Sequence, residues 1–532
     1  MSSVRTVKLS MSLLPACDRG IVLPTVYAVS PYPIMTNAAI VQLAIFLGLN
    51  SLVAFITWRH CRKAVRATDD TKEYFLANSG LTWVFIAGSI TLTNLNTDTL
   101  VGMNGGQMLL LVLWELSAVV GLILLAKIFV PIYYKYKCTT VTELLERRYD
   151  NKHIRATVAS IFLLGDVLIF LPIMLYTSSL VIKTMFKLDV PLVAIASCTA
   201  TIGAAYAILG GLRAVAISDT YNGVVVLSMA LLIAFLALNA IHWDFSGIPA
   251  ERLTLLGGPD SPIPWPTLLT GMIFSQLYYW STNQTITQRA LAAPSIKEAQ
   301  KGVYAAMVIR LLIIPPIVVI PGICSYKLYG YLGDKAYGHI VGQLLPPWLV
   351  GAFAAAMFGA VMSSYNATLN SSASLYVCDI HQRYINAKPN VPRLSTWLQI
   401  GFAVLSVCLV PAYEGSTSIM GLIQKLIGLF TMPILAAFII GLLFRNIDAR
   451  AVIATIIFGS CFYALLSFGW PALHVRFTTV PAPWHFLHSM ALTVWACVGF
   501  ALSLNRLAFG RRAEFELGTR QAWREALAVL RA

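Results

Sequence analysis

Acidic side chains interrupt several long apolar stretches of this chain. They are Asp98, Glu115, Asp166 and Asp219. An ionised carboxylate is costly at the depth of a lipid bilayer, so each is a candidate for binding a solute, an ion or a proton. Glu115 has the strongest case for solute binding, because Trp114-Glu115 enters its stretch with no basic residue nearby in the sequence.

The other three carboxylates also have structural explanations. Asp98 could cap an unwound turn of its helix, and Asp166 could be a buried carboxylate paired with a neighbouring hydroxyl. Asp219 follows Arg213 closely, so a salt bridge or a helix N-cap would explain it as well. The sequence leaves these alternatives open.

A run of hydroxyl and amide side chains follows Ala360 and begins with the adjacent pair Ser363-Ser364. Adjacent hydroxyls on a helix that faces unwound backbone carbonyls would suit a sodium ion, which favours neutral oxygen ligands. Small residues on one face also let two helices pack closely. Spacing alone does not separate a cation site from a packing face.

Two apolar stretches are themselves interrupted. The first carries small and polar residues from Gly88 to Thr99 and then glycines up to Gly106, and the second reads YYWSTNQ over 278–284. Irregular backbone at membrane depth is tolerated only where it is buried in protein or lines a cavity. The two stretches lie five spans apart, as in two inverted repeats that each open with a broken helix. Such helices bind solute and coupling ion in transporters; two polar helix–helix interfaces are the structural alternative.

The composition indicates the solvent around these elements. Of 532 residues, 58% are hydrophobic and only 11% are charged, whereas an average soluble domain carries about 25% charged residues. The formal net charge is +15, but Lys and Arg lie mainly in short connections between apolar stretches. That is the pattern of a membrane protein, and it argues against a nucleic-acid partner. We therefore predict an all-α, polytopic transmembrane bundle.

About thirteen spans of the length that crosses a bilayer are predicted. They lie near 36–58, 81–107, 109–135, 154–183, 190–210, 217–242, 264–289, 301–329, 344–378, 394–413, 416–445, 449–469 and 484–506. We expect one transmembrane domain over 35–506, with core repeats at about 81–242 and 264–445. An N-terminal extension at 1–34 precedes it, and a cytoplasmic tail at 507–532 follows it.

Basic residues set the predicted orientation. If the N-terminus lies outside, the basic connections at 59–63, 135–137 and 383–393 face the cytoplasm, as do Arg289 and the tail. The reverse orientation would place most of this charge on the wrong face. The chain is expected in the plasma membrane, with its C-terminus cytoplasmic, and the absence of eukaryotic processing signals favours a bacterial inner membrane.

Motifs of enzymes are missing from the sequence. No GxSxG, HExxH or P-loop pattern occurs, which argues against a hydrolase, a metalloprotease and a nucleotide-driven pump. The nine cysteines include no CxxC pair, so neither a zinc site nor a disulfide framework is expected. No cofactor is predicted, and an ion gradient remains as the energy source.

Several segments together resemble a known family. They are Tyr74-Phe75-Leu76-Ala77, Gly210-Gly211-Leu212-Arg213, Ser363-Ser364 and, most specifically, YYWSTNQTITQRALAAPSIKEAQKG from Tyr278 to Gly302. They resemble the sodium/solute symporter family, and the last segment resembles its sodium/glucose cotransporter branch. The resemblance covers roughly 70–470 and implies a leucine-transporter-like core of five plus five inverted helices with two broken helices.

The resemblance implies a sodium site and identifies its ligands. They are the carbonyls of Leu92, Leu95 and Ala360 and the hydroxyls of Ser363 and Ser364. Both serines are present, so the resemblance implies sodium as the coupling ion.

The resemblance also implies a solute site. Glu115 and Gln424 match positions that bond the sugar, Asn94 matches a polar residue at the break, and Tyr279 matches an aromatic that stacks on the sugar as an inner gate. Asp219 matches an acidic position near the ion path, and we expect it to take part in ion coupling.

Other positions depart from the sugar-transporting pattern. This chain has Thr99 where the sugar transporters often have Gln, Gln276 in place of Asn and Arg310 in place of Lys. It also has Phe170 in place of a polar residue and Ala118 in place of Ser. A site built to bond a hydroxyl rejects analogues that lack it, so these changes affect the choice of solute. The planar fork of Arg310 suits a carboxylate or sulfate on a modified sugar, although Arg310 could equally hold Glu115. Thr99, Gln276 and Arg310 complete the predicted solute-binding set.

These observations predict a sodium-coupled symporter of a small polar solute, most simply a monosaccharide or modified sugar, that works by alternating access. Three alternatives remain at this stage. They are a symporter of the same family for an amino acid, vitamin or carboxylate; a proton-coupled carrier with Asp166 or Asp219 as relay; and a sensor that keeps the fold without transporting.

Overall fold

The chain folds as a bundle of helices in a computed structural model that describes residues 37–61, 75–76, 79–186, 188–414, 419–471 and 484–515. Apart from one pair of two-residue strands, the elements named below are helices. The predicted extension at 1–34 and the part of the predicted tail from 516 onward lie outside these ranges.

The first repeat and the helix before it comprise seven helices. Their bounds are α1 Asn37–Cys61, α2 Trp83–Asn94, α3 Thr97–Gly105, α4 Leu109–Lys135, α5 Val141–Tyr149, α6 152–186 and α7 Leu192–Ala240. Helix α4 begins with a 3-10 turn at Leu109–Val112 and contains a π-helical segment at Leu125–Phe129. Helix α6 contains a second π-helical segment, at Asp166–Phe170.

The second repeat and the helices after it comprise ten helices. Their bounds are α8 Gly271–Leu277, α9 Gln284–Leu291, α10 Ile296–Leu312, α11 Ile314–Tyr329, α12 Ala336–Leu344, α13 347–384, α14 Val391–Leu409, α15 Ile419–Leu443, α16 Ala449–Gly469 and α17 Phe486–Leu507. A π-helical segment, Tyr278–Thr282, continues α8, and others lie at Leu375–His381 in α13 and Leu465–Gly469 in α16.

Short elements complete the description. A four-residue helix lies at Ala250–Leu253, and 3-10 turns lie at Trp265–Leu269, Gly333–Lys335 and Val410–Tyr413. Strand β1, Phe444–Arg445, follows α15 and pairs antiparallel with β2, Glu514–Phe515. The chain after α17 therefore returns to the end of α15.

Both predicted helix breaks are confirmed. Helix α2 ends at Asn94, and the side chain of Asn96 starts α3 by accepting a hydrogen bond from the backbone N–H of Thr99 at 3.1 Å. In the second repeat, the side chain of Asn283 starts α9 by accepting from the N–H of Thr285 at 2.8 Å. An asparagine cap satisfies one of the amide groups that a helix start leaves free. Each repeat thus restarts its first helix in the same way.

Nine of the described helices are long and apolar enough to cross a bilayer. They are Leu109–Lys135, Lys152–Lys183, Ala216–Ala240, Ile296–Tyr329, Trp348–Tyr384, Val391–Tyr413, Gly421–Leu443, Ala449–Gly469 and Phe486–Leu507. The halves of the first broken helix, 12 and 9 residues long, each fall short of a span. Placed end to end they would measure about 30 Å, the thickness of the hydrocarbon core, so this break falls at membrane depth.

The prediction of about thirteen spans is not confirmed in its count. The spans expected at 190–210 and 217–242 lie in one continuous helix, α7, of 49 residues. Gly210-Gly211 lies where the first of these predicted spans ends, and glycine is a poor helix former. The backbone nevertheless stays helical through both residues, whose side-chain environment lies outside the description.

Helix α2 packs against α7, α10 and α13, so the first break is surrounded by protein. Two glycines allow the approach. A Cβ added at Gly88 would lie 2.6 Å from Thr220 Oγ1, and one added at Gly302 would lie 2.6 Å from Ile86 Cγ2. Small residues at such contacts let helix backbones come close together in a membrane.

One end of the bundle is joined by a buried polar group that we call the Arg155 cluster. Its members are Arg155, Asp379, Glu146, Thr140 and Thr142. Arg155 Nε donates to Asp379 at 2.6 Å and Nη1 donates to Glu146 at 2.6 Å, while Nη2 lies 3.4 Å from Thr140 Oγ1. The cluster ties α5 and the start of α6 to the last turns of α13.

Candidate ion and solute sites at the helix breaks

Arg310 is the centre of the candidate solute site. Its side chain is buried on α10 and donates through Nη2 to Glu115 of α4 and to Asn94 at the end of α2. Its guanidinium carbon lies 4.5 Å from the ring centroid of Trp280, on the second broken helix. We call these residues, together with Tyr279, the Arg310 cluster. It joins α4 and α10 to both breaks.

Asn94 links the two breaks directly. Its Nδ2 donates to Tyr279 Oη at 2.8 Å, while its Oδ1 accepts from Arg310. Both Asn94 and Tyr279 are half-buried, unlike Arg310 and Glu115. The predicted polar residue at the first break and the predicted aromatic gate are therefore neighbours.

Gln276 lies next to this cluster, and its amide nitrogen and oxygen both form hydrogen bonds with protein groups. Its Nε2 donates to the Trp114 carbonyl at 2.8 Å and to Ser117 Oγ at 2.9 Å, and its Oε1 accepts from Trp280 Nε1 at 2.8 Å. The amide thus fixes the indole on which Arg310 rests. Gln276 is in a position to orient the site, and its polar atoms are already occupied.

Thr99 belongs to the break itself. Its Oγ1 donates to the Asn94 carbonyl at 2.9 Å and to Asn96 Oδ1 at 3.0 Å, so it supports the turn between α2 and α3. Gln424 lies half-buried near the start of α15, and the structure describes no hydrogen bond between it and the Arg310 cluster. Of the predicted solute-binding residues, the structure links Asn94, Glu115, Tyr279 and Arg310 through their side chains, and Thr99 contacts them only at the backbone carbonyl of Asn94.

Several buried polar atoms near the first break have no hydrogen-bond partner among the described residues. They include Arg310 Nε, Arg310 Nη1 and Asp98 Oδ1. The expectation that Asp98 caps the unwound turn is wrong, because Asn96 makes that cap. A buried polar atom without a partner costs about 1–3 kcal/mol. These donors and this acceptor are therefore suited to a polar ligand.

The candidate sodium site lies on the other side of the break. Ser364 Oγ of α13 donates to the Thr93 carbonyl at 2.9 Å and lies 3.4 Å from the Leu92 carbonyl. Ala360 lies one turn earlier on α13 and is fully buried, and Leu95 is the residue that follows the end of α2. The hydroxyl of Ser363 is buried without a partner among the described residues. Hydroxyls and carbonyls of this kind are the oxygen ligands that sodium accepts in transporters.

Asp219 is paired with a serine. Its Oδ2 accepts from Ser89 Oγ at 2.5 Å, and Ser89 Oγ in turn accepts from Arg289 Nε at 2.9 Å. Arg289 is fully buried in α9, so the prediction that it lies in a connection between spans is wrong. The expected N-cap at Asp219 is also wrong, because the residue lies inside α7. The side chain of Arg213 is outside the described residues.

Asp166 is paired with a hydroxyl, as one of the two interpretations expected. Its Oδ2 accepts from Ser372 Oγ of α13 at 2.7 Å. The carboxylate opens the π-helical segment of α6.

Sequence reasoning missed four residues that the structure brings to these sites. They are Ser89, Thr93, Trp280 and Arg289. A signal existed for Arg289, because it lies at the end of a predicted span, where a basic residue is either in a loop or buried with a partner. No local pattern distinguishes the two.

Comparisons with known proteins agree on the family. A model of the sodium:solute symporter family matches residues 74–459. An uncharacterised symporter of Escherichia coli (strain K12), YidK, is 34% identical over 491 residues, which are 87% of this chain and 83% of the relative. The sodium/glucose cotransporter of Vibrio parahaemolyticus is 29% identical over 441 residues, 75% of this chain and 80% of the relative. Sodium/myo-inositol cotransporter 2 of Rattus norvegicus is 28% identical over 442 residues, 74% of this chain and 65% of the relative.

Solved structures show the fold. A sodium-coupled sialic acid symporter in a substrate-bound, outward-open state superposes with a TM-score of 0.74 at 18% identity, covering 90% of this chain and 99% of that one. A nucleobase-cation-symport-1 family transporter, MHP1, superposes with a TM-score of 0.52 at 14% identity, covering 84% of this chain and 95% of that one. The predicted inverted-repeat transporter fold with two broken helices is confirmed.

Proposed function

Since the chain belongs to the sodium:solute symporter family, we propose that it carries a monosaccharide or modified sugar across the plasma membrane together with sodium. The contact of Ser364 with the carbonyls of the first break carries this proposal. It joins the candidate ion site to the same broken helix that ends at Asn94, within the candidate solute site. Because the members of this family are transporters, the main function of the chain is not an enzymatic activity.

Sodium binds, in this proposal, between α2 and α13. The ligands are the carbonyls of Leu92, Leu95 and Ala360 and the hydroxyls of Ser363 and Ser364. When sodium is present, the Ser364 hydroxyl turns from the Thr93 carbonyl to the ion. Asp219 assists from α7, since its Oδ1 is buried and unpaired among the described residues. Sodium thereby holds the break in one conformation and prepares the solute site beside it.

The solute binds at the Arg310 cluster. Its hydroxyls accept from the free Arg310 N–H groups and donate to Asp98 or Glu115, while its ring rests on Tyr279. Gln424 approaches from α15, and Gln276 and Thr99 keep the indole and the break in position. The pairing of Arg310 with Glu115 leaves little net positive charge for an anionic solute. This favours a neutral sugar over an acidic one, and the named relatives carry glucose and myo-inositol.

The membrane is a bacterial inner membrane in this proposal, with the N-terminus outside and the C-terminus in the cytoplasm. The relative from Escherichia coli supports the bacterial membrane, and the basic connections support the orientation.

The test is solute uptake into liposomes that contain the purified protein. A panel of radiolabelled monosaccharides, polyols, uronates and amino acids is offered with sodium or choline outside, in wild type and in Ser364→Ala. We expect accumulation of a neutral sugar only with sodium. We expect Ser364→Ala to lose most sodium stimulation, because one ion ligand is removed.

The matched control is Ser489→Ala, a buried serine on α17, outside the predicted repeats. Its uptake should equal that of wild type. Uptake that ignores sodium and follows a pH gradient would contradict the sodium site and favour a proton-coupled carrier. If the liposomes accumulate only an amino acid, the proposal that the solute is a sugar is wrong.

A further inference from the structure

A small cavity lies between α6, the second broken helix and α15, away from the Arg310 cluster. Asp166, Tyr278 and Thr431 are its polar lining residues, and apolar side chains such as Phe162 and Phe430 form most of the rest. The space has room for about one water-sized particle, which excludes a solute. A ligand that fits this cavity is therefore a water molecule or a small ion.

The polar residues of this cavity are buried and incompletely paired. Asp166 is 8% exposed, and its Oδ2 accepts from Ser372 Oγ of α13 at 2.7 Å. Thr431 is 2% exposed, and its hydroxyl has no hydrogen-bond partner among the described residues. The unpartnered hydroxyl is an observation independent of the carboxylate, and both residues line one space.

The charge of the lining residues indicates whether the cavity suits a cation, an anion or a neutral ligand. No lysine, arginine or histidine of the described part of the chain lines the cavity, and the described hydrogen bond to Asp166 comes from a neutral hydroxyl. A buried carboxylate without a counter-ion is costly, and a bound cation removes that cost. Oxygen atoms of a carboxylate and of hydroxyls are ligands that a hard monovalent cation accepts.

Local backbone geometry favours the same conclusion. Asp166 opens a π-helical segment, and Gly165 before it also lines the cavity. A π-helical turn displaces one residue from the regular hydrogen-bond ladder, and such turns occur often at functional sites. Ser372 follows Ser364 by eight residues on α13, so it lies about 12 Å farther along the helix from the first sodium site.

We propose that Asp166, Ser372 and Thr431 form a second sodium site, separate from the one at Ser363 and Ser364. This inference rests on the proposed function, because it assumes that sodium is the coupling ion. It deepens that function by setting two sodium ions, rather than one, for each transport cycle.

The test measures binding of radiolabelled sodium to the purified full-length protein in detergent, without solute, by a scintillation proximity assay. We expect two ions per wild-type chain and one in Asp166→Asn. Thr431→Val should keep two ions at saturation, but the weaker ion should need about tenfold more sodium, since a single ligand is lost. Thr455→Val, a buried threonine of α16 away from the cavity, is the matched control and should bind like wild type.

The outcomes separate the two proposals. If Ser364→Ala loses one ion while Asp166→Asn and Thr431→Val bind like wild type, the cavity holds water or a proton. The second site is then wrong, and the first stands. If wild type binds no sodium at saturation, or Ser364→Ala has no effect, the proposed function itself is wrong. Thr431→Val keeps the test decisive if Asp166→Asn does not fold.

Discussion

Two buried arginines of this protein pair with carboxylates in different ways. In the Arg155 cluster, Nε, Nη1 and Nη2 each lie within 3.4 Å of an oxygen of Asp379, Glu146 or Thr140. In the Arg310 cluster, one nitrogen serves both Glu115 and Asn94, and Nε and Nη1 have no partner among the described residues. A satisfied polar network stabilises one arrangement of helices. An unsatisfied one keeps donors available for a ligand.

Breaking the satisfied cluster should have the largest effect on stability. Asp379→Asn removes the charge that faces Arg155 while α5, α6 and α13 remain joined only through weaker bonds. Removing one partner of a buried ion pair costs about 3–5 kcal/mol. We expect a large drop in the melting temperature of the protein in detergent.

Removing both partners of the Arg155–Asp379 pair is the control for that change. Asp379→Leu combined with Arg155→Met removes both charges and should recover a large part of the lost melting temperature. If the double variant melts lower than Asp379→Asn, the cluster does not act through its charge pair.

Changing the unsatisfied cluster should alter solute affinity more than stability. Arg310→Lys keeps the positive charge but removes the planar fork and its stacking on Trp280. We expect the KM for the sugar found in the uptake panel to rise about tenfold, with a melting temperature near that of wild type. A large fall in melting temperature at unchanged KM would show that Arg310 is a structural residue like Arg155.

A smaller effect should follow from Tyr279→Phe. The variant keeps the ring but loses the hydroxyl that accepts from Asn94 at 2.8 Å. A net hydrogen bond contributes about 1 kcal/mol, so we expect a KM roughly fivefold higher, measured as sugar uptake in liposomes. The control is Tyr463→Phe, a buried tyrosine of α16, which should leave KM unchanged. Equal KM values in Tyr279→Phe and wild type would show that this hydroxyl does not contribute to solute binding.

The smallest effect is expected at an exposed pair. Hydrogen bonds from Lys327 and Ser246 hold the pKa of the Asp244 carboxyl below its usual value. A lowered pKa stabilises the fold above the ordinary aspartate value, and the contribution is lost as the pH falls. Solvent screens such a pair, so Asp244→Asn should leave both melting temperature and uptake within error at neutral pH. A clear loss would mean that the loop after α7 has a role in transport.

Local sequence determined the membrane class, most spans and both helix breaks. Hydropathy is a property of each stretch by itself, and the polar runs around Asn96 and Asn283 interrupt helices whatever lies beside them. The division into separate spans at 190–210 and 217–242 was wrong, because α7 continues through both and a weak local preference does not override the rest of a long helix.

Pairing between distant helices was decided only by the tertiary structure. Arg310 and Glu115 are 195 residues apart in the chain, Ser364 and Thr93 are 271 apart, and Asp166 and Ser372 are 206 apart. Periodicity assigns a residue to a face of its own helix and carries no information on which helix meets that face. For the same reason Arg289 could be read as a loop residue, although the fold buries it beside Ser89. The sequence thus determined which residues can bind an ion or a solute, and close packing of the helices decided which of them meet.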